Sequence, residues 1–167
     1  MLGSKMFGRR KKELLAAGTS APAFRLSGLD GSTRTLQDIL NGGPALLAFY
    51  KISCPVCQLT APYLGRLSGS KAIQVIGISQ DDAGATRGFM QRFGVTFPTL
   101  LDLASEGYPA SNAYGLSHVP SMFLVERDGA IAWSLEGFVK REFLAMAGQA
   151  GVDPFRPGEN VPEWKAG

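Results

Sequence analysis

Histidine occurs once in this chain, at His118, and cysteine twice, both in a single C-x-x-C at Cys54 and Cys57. A structural zinc site needs four ligands, so this supply closes one only by recruiting carboxylates or a second chain. A small secreted domain stapled by disulfides uses more cysteines, spread further apart. No apolar run approaches the roughly 20 residues required to cross a bilayer; residues 45–50 and 73–78 have the length of buried strands. Charge of one sign is also scarce. The net charge is +3 with 19% charged residues, and the excess is concentrated in Arg9, Arg10, Lys11 and Lys12. Without a basic face across the domain there is no electrostatic case for nucleic-acid binding. Internal repeats are lacking too. What remains is a globular composition, 45% hydrophobic over 167 residues, which suits one domain with a substantial core.

Residues 1–12 are basic, as the start of a secretory signal would be. The following stretch, residues 13–18, is too short and begins too acidic, at Glu13, to be the apolar segment of such a signal. The expectation is a cytoplasmic protein in which residues 1–18 form a solvated basic arm. Residues 19–150 form the folded domain. Residues 151–167, with three prolines and three glycines, form a tail over the surface.

Within the domain, residues 19–26 read as an extended lead-in, with Pro22 biasing Ala21 away from helix. Asp30-Gly31 signals a tight turn, and residues 32–35 return as a second short strand. A short helix follows at 36–40, ended by Asn41-Gly42-Gly43-Pro44. Residues 45–51 are continuously apolar up to Lys51, as a strand covered on both faces should be. Pro55 suits a helix first turn, and Val56, Leu59, Tyr63, Leu64 and Leu67 continue at helical spacing, with Pro62 inside. Residues 73–79 are a second buried strand. A helix capped by Asp81 or Asp82 carries Phe89, Met90 and Phe93 and closes at Gly94. A third strand is expected at 99–103, a weaker helical stretch at 105–114, and a fourth strand at 121–126. Arg127-Asp128-Gly129 turns the chain into a hairpin partner at 130–136. The last amphipathic helix, 140–149, should turn Phe143, Leu144 and Ala147 inward. Strands joined through helices should be parallel and the late Asp-Gly hairpin antiparallel. An α/β fold with a central mixed β-sheet flanked by helices follows, the arrangement of the thioredoxin fold, with an N-terminal β-hairpin extension and an inserted helix.

The C-x-x-C falls where a buried strand ends and a helix begins. Cys54 then sits at a helix N-terminus, where unpaired N–H groups and the macrodipole favour a thiolate, the form that attacks disulfides. Cys57 lies one turn along and deeper, placed to resolve a mixed disulfide. Pro55 removes an N–H that could bond nearby sulfur, and it stiffens the loop. Polar Ser53 and Pro55 mark a helix start, which speaks against two inert cysteines in a helix interior.

Residues 45–58 (ALLAFYKISCPVCQ), preceded by Ala21-Pro22-Ala23-Phe24-Arg25-Leu26 and Leu29-Asp30-Gly31, resemble the bacterial thiol–disulfide oxidoreductases related to alkyl hydroperoxide reductase, the TlpA/ResA-like thioredoxins among them. The likeness resumes at 93–102 (FGVTFPTLLD), Tyr114-Gly115-Leu116 and 118–131 (HVPSMFLVERDGAI). It implies a thioredoxin fold and disulfide exchange through the cysteine pair. It also implies a cis proline beside that pair, here Pro120. Val119 would offer backbone groups to an extended substrate, as in strand addition, with Pro55 and Val56 on the same face. The chain departs from the pattern in three places. Ser53 replaces the usual aromatic before the first cysteine, and Ala48 occupies the strand position where thioredoxins carry a buried aspartate. Thr60 stands where ResA-like proteins carry a glutamate. The usual proton acceptor for Cys57 is therefore missing or replaced. Lys51 and His118 are the nearby groups able to tune a thiolate; each also reads as an ordinary solvated side chain.

Residues 49–57 also partly resemble the peroxiredoxin signature, with Cys57 at the peroxidatic position and Cys54 in place of the family's threonine. Losing that threonine removes a means of orienting a peroxide, so a thiol peroxidase is the alternative reading. A thioredoxin-fold binding module without catalysis is a third. The expected partners are protein disulfides or dithiols and a redox partner. No cofactor beyond the Cys54–Cys57 pair and no metal is expected.

Overall fold

The computed structural model describes residues 12–167; the basic arm read at residues 1–18 lies outside them as far as residue 11. A hairpin leads the domain, β1 (Arg25–Gly28) and β2 (Thr33–Thr35), antiparallel with Ser27 opposite Thr33. Asp30 closes its turn by accepting the Ser32 N–H at 2.9 Å. Helix α1 (Leu36–Asn41) starts directly afterwards, its first turn closed by a reciprocal cap between Thr35 and Asp38. Strand β3 (Ala45–Tyr50) runs into helix α2 (Pro55–Leu67), and β4 (Gln74–Ser79) into α3 (Ala83–Phe93). Then come β5 (Thr99–Leu101), a single 3-10 turn at Ala104–Glu106, and α4 (Pro109–Ala113). The chain finishes with β6 (Ser121–Val125), β7 (Ile131–Glu136), β8 (Phe138–Val139), α5 (Lys140–Ala150) and β9 (Trp164–Lys165).

Seven strands form one sheet in the order β2-β1-β5-β4-β3-β6-β7. The strands linked through helices, β3, β4 and β5, are parallel; β6 runs antiparallel to β3, and β7 runs antiparallel to β6. The mixed sheet expected from the sequence is thus present, with its leading hairpin and inserted helix. The period-2 alternation of a strand explains the unbroken apolar run of β3. Leu46, Ala48 and Tyr50 pack on one face with Cys57, Leu64, Leu67, Phe89 and Phe143. Ala45, Leu47 and Phe49 pack on the other with Ile39, Ala110, Tyr114 and Phe123. Both faces are covered, so β3 is central and its C-terminal end is held from two sides.

Three details differ from the sequence reading. Strand β5 stops at Leu101, because Asp102 turns its carboxylate to the N–H groups of Ala110 and Ser111 at 2.9 and 2.8 Å and so caps α4. In α5, Leu144 is 42% exposed, while Phe143, Met146, Ala147 and Ala150 point inward; the apolar stripe falls one residue to the side of the one expected. Residues 151–167 lie on the outside but are anchored to the domain. Phe155 packs edge-on against Tyr63 with centroids 4.9 Å apart, and Glu159 grips Arg66 through two bonds of 2.7 and 2.9 Å. Strand β9 pairs with β8. This approach is close enough that a Cβ on Gly137, which holds φ at +75°, would stand 2.7 Å from the Lys165 carbonyl.

Candidate active site

The end of β3 and the start of α2 are joined by a turn over Lys51, Ile52 and Ser53, and the first two are tied down. The Cys54 N–H donates to the Lys51 carbonyl at 3.2 Å. The Ile52 N–H donates to the Asp81 carboxylate at 2.8 Å, and the Ile52 carbonyl accepts the Gln58 amide at 2.9 Å. Cys54 is the N-cap of α2, with extended backbone, and Pro55 follows at the first helical position, where its missing N–H costs nothing. The cap bond is made by sulfur: the Cys57 N–H donates to Cys54 Sγ at 3.2 Å. A helix whose first turn offers N–H groups to a sulfur provides donors for negative charge on that atom.

The two cysteines differ in access. Cys54 is partly exposed and Cys57 is buried. Burial pushes the Cys57 thiol above its ordinary range, and its contact with the Cys54 sulfur pushes it further the same way. Facing Cys54 across the site is the segment before β6. The Val119–Pro120 peptide is cis, and the Val119 carbonyl accepts the Cys54 S–H at 3.3 Å. Pro120 is buried, and its carbonyl accepts the Gly137 N–H at 2.8 Å. Ser121 Oγ donates to the His118 carbonyl at 2.8 Å, holding the turn that presents Val119.

Cys54, Cys57, Val56, Val119 and Ile52 therefore come together around one small patch of surface, with Pro55 exposed beside it. The remaining candidates are placed differently. Thr60 is buried and spends its hydroxyl on the Cys57 carbonyl at 3.2 Å. Ser53 is exposed. His118 turns its ring to Glu136, at 2.6 Å, and Lys51 lines a polar cleft beside Val119. Asp81, one of the two caps that the sequence offers for α3, belongs instead to this site, and Asp82 makes that cap. A second carboxylate directly after a buried strand, at the sheet end where the cysteines emerge, was the signal available. The reach of the C-terminal segment was missed. A Cβ on Gly167 would stand 2.7 Å from the Val119 carbonyl oxygen, so this segment ends against the surface facing Cys54. Among the described residues, no group of three or more His, Cys, Asp or Glu side chains is gathered as a metal site would require, and no helix is long and apolar enough to cross a membrane.

Comparison with known proteins agrees with this geometry. Residues 17–134 match the AhpC/TSA family. The thiol-disulfide oxidoreductase ResA of Geobacillus thermodenitrificans is 30% identical over 136 residues, covering 79% of this chain and 76% of the relative. The fold is shared with the thioredoxin domain of a thiol-disulfide oxidoreductase from Bacteroides vulgatus, with a TM-score of 0.71 at 21% identity, covering 81% of this chain and 97% of that one. It is also shared with peroxidoxin BcpB from Mycobacterium tuberculosis, with a TM-score of 0.69 at 20% identity, covering 82% and 97%. At these identities the two structures speak to fold alone, and the chemistry rests on the cysteine site.

Proposed function

The chain belongs to the AhpC/TSA family, and from that premise we propose that it is a thiol–disulfide oxidoreductase of the ResA-like kind, exchanging disulfides with protein substrates through Cys54 and Cys57. The observation that carries this reading is the asymmetry of the pair. Cys54 is accessible, with its sulfur held between the Cys57 N–H and the Val119 carbonyl, while Cys57 waits behind it, buried and protonated.

The exchange proceeds in two displacements. Cys54, having released its proton, attacks one sulfur of the substrate disulfide; a Cys54–substrate bond forms, the substrate S–S bond breaks, and one substrate thiolate leaves. Cys57 then loses its proton and attacks Cys54 Sγ. The Cys54–Cys57 disulfide forms and the second substrate thiolate departs. The two released thiolates take up two protons, and the enzyme has given two electrons. A dithiol partner restores the reduced pair. The substrate segment is held by strand addition on the backbone of Val119, with Pro55 and Val56 as the opposite lip.

The peroxidase alternative asks Cys57 to be an accessible thiolate, and its burial opposes this. Mixing with hydrogen peroxide should therefore oxidise the pair no faster than a simple thiol. The central test is reduction of a disulfide-linked protein with dithiothreitol as electron source. Cys54→Ser should abolish the accelerated rate, and pre-reduced Cys57→Ser mixed with the substrate in the absence of dithiothreitol should accumulate a mixed disulfide on Cys54, visible as a mass increase equal to the substrate. Turnover that survives Cys54→Ser would overturn the proposal. The direction of flow follows from the pair's reduction potential: a value near about −270 mV supports a reductant, and one near about −120 to −180 mV an oxidant or isomerase.

A further inference from the structure

Next to the exchange site lies a cleft of about 330 Å³ that the mechanism above does not use; Val119 and His118 line it together with Lys12, Lys51, Tyr108 and Asn112. No carboxylate lines it. Its cations are Lys51, half-buried at the end of β3, and Lys12 at the rim, whose ammonium is held by the Asn112 side-chain carbonyl. Neither lysine has a carboxylate partner within 4 Å among the described residues. The nearby carboxylates are committed elsewhere. Asp81 accepts the Ile52 N–H, Glu136 takes the His118 ring, and Asp102 is buried with its oxygens on Ala110 and Ser111. Glu13 follows Lys12 in the chain without lining the cleft. Three further cations, Arg9, Arg10 and Lys11, immediately precede Lys12 in the sequence.

The part of the lining that carries Tyr108 and Asn112 is built, not incidental. Tyr108 holds a left-handed backbone, φ +49°, rare for a residue with a side chain. It is held there by its N–H on the Leu103 carbonyl and its carbonyl on the Asn112 N–H, both at 3.0 Å. Behind it, Gln80 donates to Ser111 Oγ at 2.9 Å, and Ser111 Oγ donates to Asp102 at 2.5 Å. Ser117 Oγ donates to the Lys12 carbonyl at 3.0 Å, which fixes the segment carrying Lys12 along the rim.

Val119 belongs to both the exchange site and this cleft, so a substrate strand laid on Val119 would lie beside the cleft. We propose that the cleft is a substrate subsite that takes an acidic side chain a few residues from the attacked cysteine, with Lys51 and Lys12 as the recognising charges. This rests on the exchange reading given above and adds a selectivity to it: the protein prefers disulfides flanked by Asp or Glu. Charge recognition at a partly solvated site raises the encounter rate and sorts partners more than it adds tight binding. Two such contacts are expected to give about five- to tenfold in kcat/KM.

The experiment uses three disulfide-bonded peptides that differ only in flanking residues, Glu-Glu, Gln-Gln or Lys-Lys. Each kcat/KM is divided by the rate of the same peptide with dithiothreitol, which removes the effect of the flanks on the peptide's own thiols. The expected order is acidic over neutral over basic, with the spread shrinking as salt rises. The K12Q/K51Q double variant should bring the acidic-to-basic ratio to within about twofold, and K12E/K51E should invert it. Equal values across the three peptides, or a ratio that survives K12Q/K51Q, would overturn the subsite while leaving exchange intact. Absence of turnover with every peptide and with neutral hydroxyethyl disulfide would overturn the exchange reading, and the subsite with it.

Discussion

Two buried tyrosines illustrate how single side chains set local energetics here. Tyr114 is fully buried among Phe24, Phe49 and Phe123, yet its hydroxyl reaches the Pro22 carbonyl at 2.8 Å. Tyr50 stacks on Phe89 at the end of β3, and its hydroxyl, beside Ser79 and Thr99, has no hydrogen-bond partner of good geometry among the described residues. A buried hydroxyl without a partner costs desolvation and returns nothing, whereas a paired one contributes a modest net gain. Tyr50→Phe should therefore raise stability by about 1 kcal/mol and Tyr114→Phe lower it by about 1 kcal/mol, read from urea unfolding midpoints at constant slope. A loss of stability in Tyr50→Phe would mean that the hydroxyl has a partner. Tyr50 was legible in the sequence as part of the apolar run at 45–51, whereas Tyr114 stood only at the end of a weak helical stretch. Which hydroxyl is satisfied was not legible, because the Pro22 carbonyl comes from a segment far away in the chain.

Among the elements, the C-terminal segment shows best how a weakly patterned stretch acquires structure. Its prolines and glycines prevent regular helix, and no periodicity marks a buried face. Its anchors are isolated: Phe155 in an aromatic cluster, Glu159 on Arg66, and the Lys140 N–H donating to the Glu163 carbonyl at 2.9 Å. The Arg66 guanidinium, helped by the Arg156 N–H, holds the Glu159 carboxyl down to about 2. A carboxylate whose native value is depressed contributes stability above its ordinary value, about 4.3, and loses that contribution as the pH falls through the native value. Between about pH 4.5 and 2 the segment should loosen ahead of the domain. Glu159→Gln should produce the same loosening at pH 7, seen as faster hydrogen exchange at the Lys140 amide with the sheet amides unaffected. An unchanged Lys140 amide in that variant would show that Phe155 alone is sufficient to hold the segment. The active-site elements behave in the opposite way: the strand-to-helix junction at Cys54 was visible from spacing because a strand, a proline at the helix start and the second cysteine all fall within one short local stretch.

For the whole molecule, the protons held in the two-sided core make stability depend on pH at the alkaline end. Burial raises Cys57, raises Tyr50 to about 12, and raises Tyr114. The unfolded chain gives up these protons at ordinary thiol and phenol values, about 8.5 and 10, while the native protein keeps them. The native state then binds more protons than the unfolded one, so stability falls as pH rises. The reduced protein should be insensitive to these groups near pH 7, weaken from about pH 8.5, and weaken more steeply past about pH 10, with each group adding at most about 1.4 kcal/mol per pH unit. Urea titrations at pH 7, 9 and 10 check this, and Cys57→Ser should flatten the first part of the decline. A reduced protein as stable at pH 9.5 as at pH 7 would mean that Cys57 is not held protonated.

The sequence by itself determined the order of elements from β1 to β7 and the last long helix, the mixed sheet and the identity of the reactive pair, since each depends on short-range patterns: period-2 burial, helix punctuation and the C-x-x-C at a helix start. It also determined which expected residues were replaced, at Ala48, Ser53 and Thr60. Only the tertiary structure decided that Asp81 holds the turn before Cys54, that Val119 accepts its S–H, that His118 is taken by Glu136, and that residues 164–167 lie against the site. These contacts join segments 18 or more residues apart in the chain, brought together where the sheet's strand ends converge. Such convergence is a product of packing two apolar faces at once, and no local pattern in the chain records it.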